Sequence, residues 1–276
     1  MINGDLYDHN KASIPATDLT LRRGYGLFDF LRVHEGIPLY FEHHLKRLFR
    51  GIDRLGLNVR WNRDEIAEQV LKVIGANEIE RVTGIRIVVT GGLSADGFTP
   101  ADANVIITQE RFRLPPEHLY SDGTALMTHE YRREIADVKS LNYMLAVYLA
   151  PEMYRRNTTE VLYYSDGKVS ECTRSNIFCI HGNKLITPLS DTLEGITRGR
   201  ILEIGQPEVN IEVRDFSLSY LLEADEVFIT STIKRIIPVI RIDDHQIGSG
   251  RPGTLTKLLM DKLSERDRSY LKEHRS

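Results

Sequence analysis

The chain has 276 residues, of which 41% are hydrophobic and 27% are charged, and its formal net charge is −3. This length suits one large domain or two smaller ones, and the composition is that of a globular protein with a real core. The charge balance and the lack of any run of Lys or Arg exclude a basic stripe for nucleic acid or for an anionic membrane surface.

Neither secretion nor membrane insertion is predicted. Asp5 and Asp8 interrupt the N-terminal segment before an apolar stretch develops, so we expect no signal peptide. No apolar run approaches the roughly 20 residues that span a bilayer. Cys172 and Cys179 are too few for a disulfide framework and lack metal-ligand spacing. We expect two buried free thiols, no metal and a cytoplasmic protein.

The first half of the chain is predicted to alternate strands and helices. An apolar strand is followed by the turn Glu35-Gly36, and Leu45, Leu48 and Ile52 then recur at helical spacing. The predicted strands are 27–34, 37–39, 85–90 and 104–108, and the predicted helices are 42–55 and 63–74. Pro115-Pro116 then stops regular structure. We therefore predict a small α/β domain at 1–111, an interdomain loop at 112–118 and a larger domain at 119–276.

The second half is predicted to be richer in strands. Turn signals such as Asp166-Gly167 separate short apolar runs. The predicted strands are 124–129, 160–164, 168–170, 177–180, 185–187, 210–213, 226–230 and 236–240, and the predicted helices are 141–155, one from 197, and 254–266. Because both halves mix strands and helices, the sequence predicts an α+β fold in two domains, with mixed sheets and helices in each.

Several short motifs occur together in a fixed order. They are 23–29 (RGYGLFD), 42–48, 137–143 (DVKSLNY), 169–178 (VSECTRSNIF), 193–198 (LEGITR), and 230–232 (TST) with 237–239 (IPV). In this order they resemble the class IV, or fold type IV, pyridoxal-phosphate (PLP) aminotransferases over nearly the whole chain. That family includes branched-chain aminotransferases, D-amino acid transaminases and aminodeoxychorismate lyases. The resemblance implies PLP as cofactor, bound mainly by the larger domain, and a fold type IV architecture.

The resemblance assigns the catalytic role to Lys139. A PLP enzyme needs a lysine amine to hold the cofactor and a base to move a proton between Cα and C4′, and one lysine serves both needs. Glu171 matches the carboxylate that keeps the pyridine nitrogen protonated. Leu193 matches the apolar residue that packs on the cofactor ring. Tyr143 matches a hydrogen-bond donor to the phenolic oxygen, with a packed tyrosine as the alternative.

The resemblance also implies a set of phosphate contacts. A helix N-terminus offers amides to an anion, and hydroxyls and an arginine add to it. The implied contacts are Gly195, Ile196, Thr197, Ser231, Thr232 and Arg47. For Ser231 and Thr232 the alternative is simple capping, and for Arg47 it is a surface arginine.

The substrate is harder to assign. D-amino acid transaminases of the usual type carry Arg-x-His where this chain has Gly91-Gly92-Leu93. Arg23 and Arg86 are the candidates to bind the substrate carboxylate instead, as in a less usual D-transaminase subgroup. For Arg86, a structural ion pair is the alternative. The sequence thus favours a transaminase of D-amino acids and 2-oxo acids, with a branched-chain L-amino acid aminotransferase, an aminodeoxychorismate lyase and a non-catalytic PLP-binding protein as alternatives.

The resemblance further implies a homodimer in which Arg23 reaches across to the neighbouring subunit. No nucleic-acid or membrane partner is expected. His43, His44 and His129 have no function that the sequence supports, and solvated or core histidines are the default for them.

Overall fold

A computed structural model describes residues 1–78, 80–206 and 208–275. The chain forms two compact units. The first contains Met1–Arg113, Val138–Asn142 and Tyr270–Ser276, and the second contains Leu114–Asp137 and Tyr143–Ser269. The interdomain loop predicted at 112–118 contains the point between Arg113 and Leu114 where the chain leaves the first unit and enters the second. The predicted larger domain included 138–142 and the residues from 270 onward, whereas Val138–Asn142 and the segment that starts at Tyr270 belong to the first unit.

The first unit contains a four-stranded antiparallel sheet with helices on one face. Its strands are β1 (Gly26–His34), β2 (Ile37–Pro38), β3 (Val82–Thr90) and β4 (Val105–Glu110), in the order β2-β1-β3-β4. Its helices are a short 3₁₀ turn (His9–Lys11), α1 (Leu19–Arg23), α2 (Phe41–Leu55) and α3 (Arg63–Gly75).

The two faces of this sheet differ. Alternate residues such as Leu31, Ile85, Ile87 and Ile107 are fully buried, and they form the core with the apolar sides of the helices. Residues of the other set, including Phe28 and Arg86, are only half-buried. The first unit therefore has one closed face and one open face.

The second unit is built on a nine-stranded mixed sheet. Its strands are β5 (Thr124–Glu130), β6 (Glu160–Ser165), β7 (Lys168–Cys172), β8 (Asn176–His181), β9 (Lys184–Thr187), β10 (Asn210–Val213), β11 (Glu226–Ser231), β12 (Arg235–Ile242) and β13 (His245–Gln246). The order is β10-β9-β8-β11-β12-β5-β6-β7, with β13 beside β12. The helices are α4 (His118–Ser121), α5 (Met144–Arg155), α6 (Ile196–Gly205), α7 (Leu218–Leu222) and α8 (Thr254–Glu273), whose last four residues belong to the first unit.

Successive residues of the central strands face different cores. On β8, Ile177 and Cys179 join one apolar cluster, whereas Phe178 and Ile180 join another that also contains residues of α6 and α8. The Phe178 ring stacks on Phe228 with 4.9 Å between ring centroids. The predicted burial of both cysteine thiols is confirmed. Burial on both faces holds the strand ends and the turns that follow them in fixed positions.

The α+β prediction is confirmed, and most predicted elements are present. Several differ in extent by two residues or more, and β3 begins at Val82 rather than Ile85. The helix after Lys139 begins at Met144 rather than Leu141, β7 continues to Cys172, and α8 reaches Glu273 instead of ending near Arg266. Among the described residues, no helix combines the length and the apolar character needed to cross a membrane.

Candidate active site

The predicted site residues fall into two groups. Arg23, Arg47, Arg86 and Lys139 belong to the first unit. The second unit contains Tyr143, Glu171, Leu193, Gly195, Ile196, Thr197, Ser231 and Thr232. Each group is described within its own unit.

Lys139 lies in an irregular segment that is hydrogen-bonded to β1. Its carbonyl accepts from the Phe28 amide at 2.9 Å, and the Leu141 amide donates to the Gly26 carbonyl at 3.0 Å. The lysine side chain is half-buried, and Nζ lies 4.6 Å from the centroid of the Phe28 ring. The strand thus fixes the lysine backbone, and the aromatic face attracts its ammonium group.

Behind Phe28, on the closed face of the sheet, is a buried group of charged side chains. Asp29 is 1% exposed. Its oxygens accept from Nε and Nη2 of Arg47 at 2.9 and 2.8 Å, and Nδ1 of His44 lies 2.6 Å from Oδ1. Burial raises the pKa of Asp29, but Arg47 and His44 more than offset this, so the pKa lies well below its usual range. Arg47 is therefore a buried, partnered side chain rather than a surface arginine, and its phosphate contact remains a prediction.

His44 is buried together with this carboxylate. Burial lowers its pKa, and this effect outweighs the opposing effect of Asp29, while the charges of Arg47 and Lys139 lower it further. Because the ionised Asp29 only accepts hydrogen bonds, Nδ1 of a neutral His44 must carry the proton. No function was predicted for His44 from the sequence, and the structure shows that it helps to hold Asp29 against α2.

The open face of the same sheet carries Arg86. It pairs with Glu110 through two contacts, Nε to Oε1 at 2.8 Å and Nη2 to Oε2 at 3.0 Å. Its guanidinium carbon lies 5.1 Å from the Phe28 ring centroid and 5.2 Å from that of Phe30. The ion pair considered as an alternative for Arg86 is thus present, and the arginine lies over the same phenylalanine as the Lys139 amine.

Arg23 is exposed at the end of α1. Asp18 caps this helix by accepting from the Thr20 amide at 2.8 Å, and Nε of Arg23 donates to the Gly97 carbonyl at 3.2 Å. The arginine therefore has a defined orientation, although its charge is left largely to solvent.

In the second unit, Glu171 lies in β7 rather than in a turn, and it is 5% exposed. Oε2 accepts from the Leu193 amide at 3.0 Å, and Oε1 lies 3.0 Å from Nε of Arg133. The Arg133 guanidinium carbon lies 5.3 Å from the centroid of the Tyr143 ring. These contacts fix the carboxylate and compensate its charge. Leu193 contacts Glu171 directly, and Tyr143 is connected to it through Arg133, which the sequence analysis did not select.

Asn176 is the residue around which the remaining contacts are arranged. Its Nδ2 donates to the Leu193 carbonyl at 2.7 Å and to the Thr192 hydroxyl at 3.0 Å. A Cβ atom at Gly195 would lie 2.0 Å from Asn176 Oδ1, so only glycine allows this approach. Asn176 also pairs with Thr230 between β8 and β11. The strand pairing thus places Thr230, the first residue of the 230–232 motif, beside the residue whose side chain contacts Leu193 and approaches Gly195.

The predicted phosphate contacts lie at the ends of regular elements. Gly195 is the N-cap of α6 without a side-chain cap, and Ile196 begins the helix, one residue before the predicted start at 197. Ser231 ends β11, and Thr232 lies in the following turn. All of these residues are half-buried, so their amides and hydroxyls are partly accessible. The adjoining Thr230 hydroxyl is buried and has no hydrogen-bond partner within the described part of the chain.

Comparison with known proteins identifies the family of this chain. Residues 26–242 match the profile of amino-transferase class IV. The chain belongs to the class IV aminotransferases. Class IV aminotransferases are PLP-dependent enzymes, and the family prediction is therefore confirmed.

Three relatives indicate the range of this class. A D-alanine aminotransferase of Bacillus licheniformis is 30% identical over 274 residues, which is 95% of each chain. A branched-chain aminotransferase of Thermoproteus uzoniensis, solved with norvaline, has a TM-score of 0.87 at 25% identity, covering 99% of this chain and 95% of that one. A 4-amino-4-deoxychorismate lyase of Pseudomonas aeruginosa has a TM-score of 0.84 at 26% identity, covering 96% of this chain and 98% of the lyase. The fold is thus common to all three activities that the sequence left open.

Several residues of the site were missed by the sequence analysis: Asp29, His44, Arg133 and Asn176. Asp29 carried a signal, since a carboxylate inside the apolar strand GLFDFLRVH requires a partner, and His44 and Arg47 lie one helical turn apart. Asn176 was inside a quoted motif, but no pattern distinguished it. Arg133 carried no local signal, because its partner Glu171 is far away in sequence.

Proposed function

We propose that this class IV aminotransferase is a D-amino acid transaminase that binds PLP through Lys139. One observation carries the proposal. The amine of Lys139 and the guanidinium of Arg86 lie over the same ring, at 4.6 and 5.1 Å from the Phe28 centroid. A reactive amine and a group able to bind an α-carboxylate are thus close together on one face of one sheet.

The donor groups of the second unit fit the cofactor. Glu171 supplies a fixed carboxylate for the pyridine nitrogen, and the uncapped N-terminus of α6 supplies amides for the phosphate. Ser231 and Thr232 add hydroxyls, and the unpartnered Thr230 hydroxyl leaves a buried donor for a ligand. Leu193 would pack on the ring and Tyr143 would donate to the phenolic oxygen. When bound, PLP withdraws electrons from the substrate and makes its Cα proton acidic.

The chain's own residues then have separate tasks. Nζ of Lys139 removes the Cα proton of the amino acid and returns a proton in the reverse half-reaction. Arg86, with Arg23 from either subunit, binds the α-carboxylate and fixes which face of Cα meets the lysine. Arg47 adds a cation for the phosphate from a position held by Asp29. The products are a 2-oxo acid and, from a second oxo acid, a new amino acid.

The preference for D-amino acids is supported by the similarity to D-alanine aminotransferase over 95% of the chain. A branched-chain L-specific enzyme is the second candidate, because a branched-chain aminotransferase shares the fold with a TM-score of 0.87.

A homodimer is part of the proposal. It is supported by an exposed apolar stripe on α5, formed by Met144, Val147, Tyr148 and Tyr154.

The test is a coupled assay of the PLP-loaded protein with D- and L-alanine, D- and L-glutamate and L-leucine, each with a 2-oxo acid. Turnover of the D-amino acids alone supports the proposal, and turnover of L-leucine alone replaces it with the branched-chain activity. If PLP binds and none reacts, release of pyruvate from aminodeoxychorismate is measured next, and its presence indicates the lyase.

The lysine is tested separately with Lys139→Ala, and Lys168→Ala is the matched control because Lys168 is exposed on β7. We expect the first variant to lose turnover and the visible absorbance of protein-bound PLP, and the control to retain both. A Lys139→Ala protein with normal turnover would disprove the assignment.

A further inference from the structure

Glu160 is a fully buried carboxylate that the proposed reaction does not use. It is the first residue of β6, and its exposed fraction is 0%. An ionised group at such a position is costly unless cations and hydrogen-bond donors surround it. The residues that supply these cations and hydrogen-bond donors show which segments of the chain Glu160 connects.

One set of donors belongs to the turn between Glu171 and Asn176. The Thr173 hydroxyl and the Arg174 amide both donate to Oε2, the latter at 3.1 Å. The Ser175 hydroxyl donates to Oε1 at 3.3 Å. This turn connects the carboxylate proposed for the pyridine nitrogen to the amide side chain that contacts Gly195. Glu160 therefore fixes the backbone on which both are placed.

The other donor is Lys234, in the turn after β11. Its ammonium group forms an ion pair with Oε1 of Glu160 and lies 3.3 Å from the Ser175 hydroxyl. Its backbone amide donates to the Ser231 hydroxyl at 3.1 Å. The same residue thus contacts Glu160 through its side chain and a proposed phosphate residue through its main chain.

The charge of this pair is settled by its surroundings. Burial raises the pKa of Glu160, but Lys234 and Arg174, together with the hydrogen bonds, more than offset this, and the pKa lies below its usual value. Glu160 is therefore an anion at neutral pH, and Lys234 is the cation closest to it.

We propose that Glu160 and Lys234 are positioning residues that fix the 171–176 turn and the 231–234 turn relative to each other, and so set how tightly the chain holds PLP. The pair touches neither substrate nor reacting atoms. It acts through the two segments that supply the pyridine carboxylate and the phosphate hydroxyls. The inference rests on the proposed binding of PLP in the second unit.

The experiment measures the dissociation constant of PLP itself for apo-protein, by titration of the visible absorbance. The variants are Lys234→Met, Lys234→Arg, and the double variant Glu160→Gln with Lys234→Met. Lys184→Met is the matched control, since Lys184 forms an ion pair with Glu212 at 2.8 Å on the surface of the same unit. The melting temperature of each apo-protein is recorded, because removal of one partner of a buried pair destabilises the fold, whereas removal of both often does not.

We expect Lys234→Met to weaken PLP binding by about tenfold or more, Lys234→Arg to restore most of it, and Lys184→Met to leave it unchanged. We expect the double variant to melt near the wild type without cofactor and still to bind PLP weakly. Wild-type affinity in the double variant, or in Lys234→Met, would overturn the inference. A wild-type protein that binds no PLP would instead overturn the proposed function.

Discussion

Arg86 shows how a partner changes what a charged residue can bind. Its Nε and Nη2 groups are both engaged by Glu110, so a substrate carboxylate has to share or displace an internal carboxylate. A sequence pattern identifies the arginine, but not this competitor, which is 24 residues away on the neighbouring strand. The availability of Arg86 is therefore decided by Glu110.

Replacement of Glu110 by Gln tests this relation. The variant keeps the shape of the side chain and removes the competing charge, so we expect KM for the preferred amino acid to fall about threefold or more, with kcat nearly unchanged. Glu80→Gln is the control, because Glu80 pairs with Arg111 at 2.6 Å in the same unit. Unchanged KM values in Glu110→Gln would return Arg86 to a structural role.

His44 predicts a pH dependence of stability. Its pKa is lowered in the folded state, so folding favours the neutral form. This contribution is present above the ordinary histidine pKa, about 6.5, and is lost as the pH falls below it. We expect the free energy of unfolding to fall between pH 7 and pH 5, and to fall less steeply in His44→Asn, which keeps a donor for Asp29.

Urea unfolding at a series of pH values measures this slope. His43→Asn is the control, because His43 is exposed on the same helix. Equal slopes in His44→Asn and in the wild type would show that the buried histidine does not contribute.

At the scale of single elements, hydrophobic periodicity and helix-capping residues predicted a helix or strand well where the local sequence determines its bounds. The helix predicted at 42–55 is found at Phe41–Leu55, because Leu45, Leu48, Ile52 and Leu55 recur at helical spacing on its buried side. The start of α5 was wrong by three residues, since Ser140 and Leu141 bond to β1 and not to a helix. β7 was predicted too short because its partner β6 continues the pairing to Cys172. Pairing with another strand thus decided both boundaries.

The first turn of α6 gives a test with a control in the same helix. In Gly195→Ala the new Cβ would lie 2.0 Å from Asn176 Oδ1, whereas a Cβ at Gly199 meets nothing within 4 Å. We expect Gly195→Ala to weaken PLP binding by about tenfold or more, because the helix start must move away from its phosphate position. Gly199→Ala should bind PLP normally and be about 0.5–1 kcal/mol more stable, since alanine favours a helix interior.

Absorbance titration with PLP and chemical unfolding measure the two effects. Tight PLP binding by Gly195→Ala would show that the helix N-terminus is not a phosphate contact.

At the scale of the whole molecule, the sequence indicated two domains and a family, and the family's motifs supplied most of the predicted site residues. Some residues that position those motifs did not follow, because Arg133 and Glu160 are recognisable only beside their partners. The membership of Val138–Asn142 and of the segment that starts at Tyr270 in the first unit was also not predicted, because it depends on contacts with β1 and Tyr40 that are distant in sequence.

The proposed homodimer is tested on α5. Val147 and Tyr148 are 71% and 78% exposed, and they lie one helical turn from Met144. We expect Val147→Glu to give a monomer in sedimentation velocity, because a buried charge would oppose association. Leu71→Glu is the control, at an apolar residue 51% exposed on α3. A dimer of wild-type stability in Val147→Glu would place the interface elsewhere.

The discontinuous first unit has a consequence for biosynthesis. Tyr270 contacts this unit through Tyr40, with 4.8 Å between ring centroids, and the Lys139 segment closes on β1. The β1 to β4 sheet is synthesised before either segment, and the segment with Tyr270 follows only after nearly all of the second unit has been made. An isolated fragment 1–113 would lack both segments. The lysine and the sheet that orients it are therefore joined only after that sheet has been synthesised, and expression of the fragment alone should yield an aggregation-prone product.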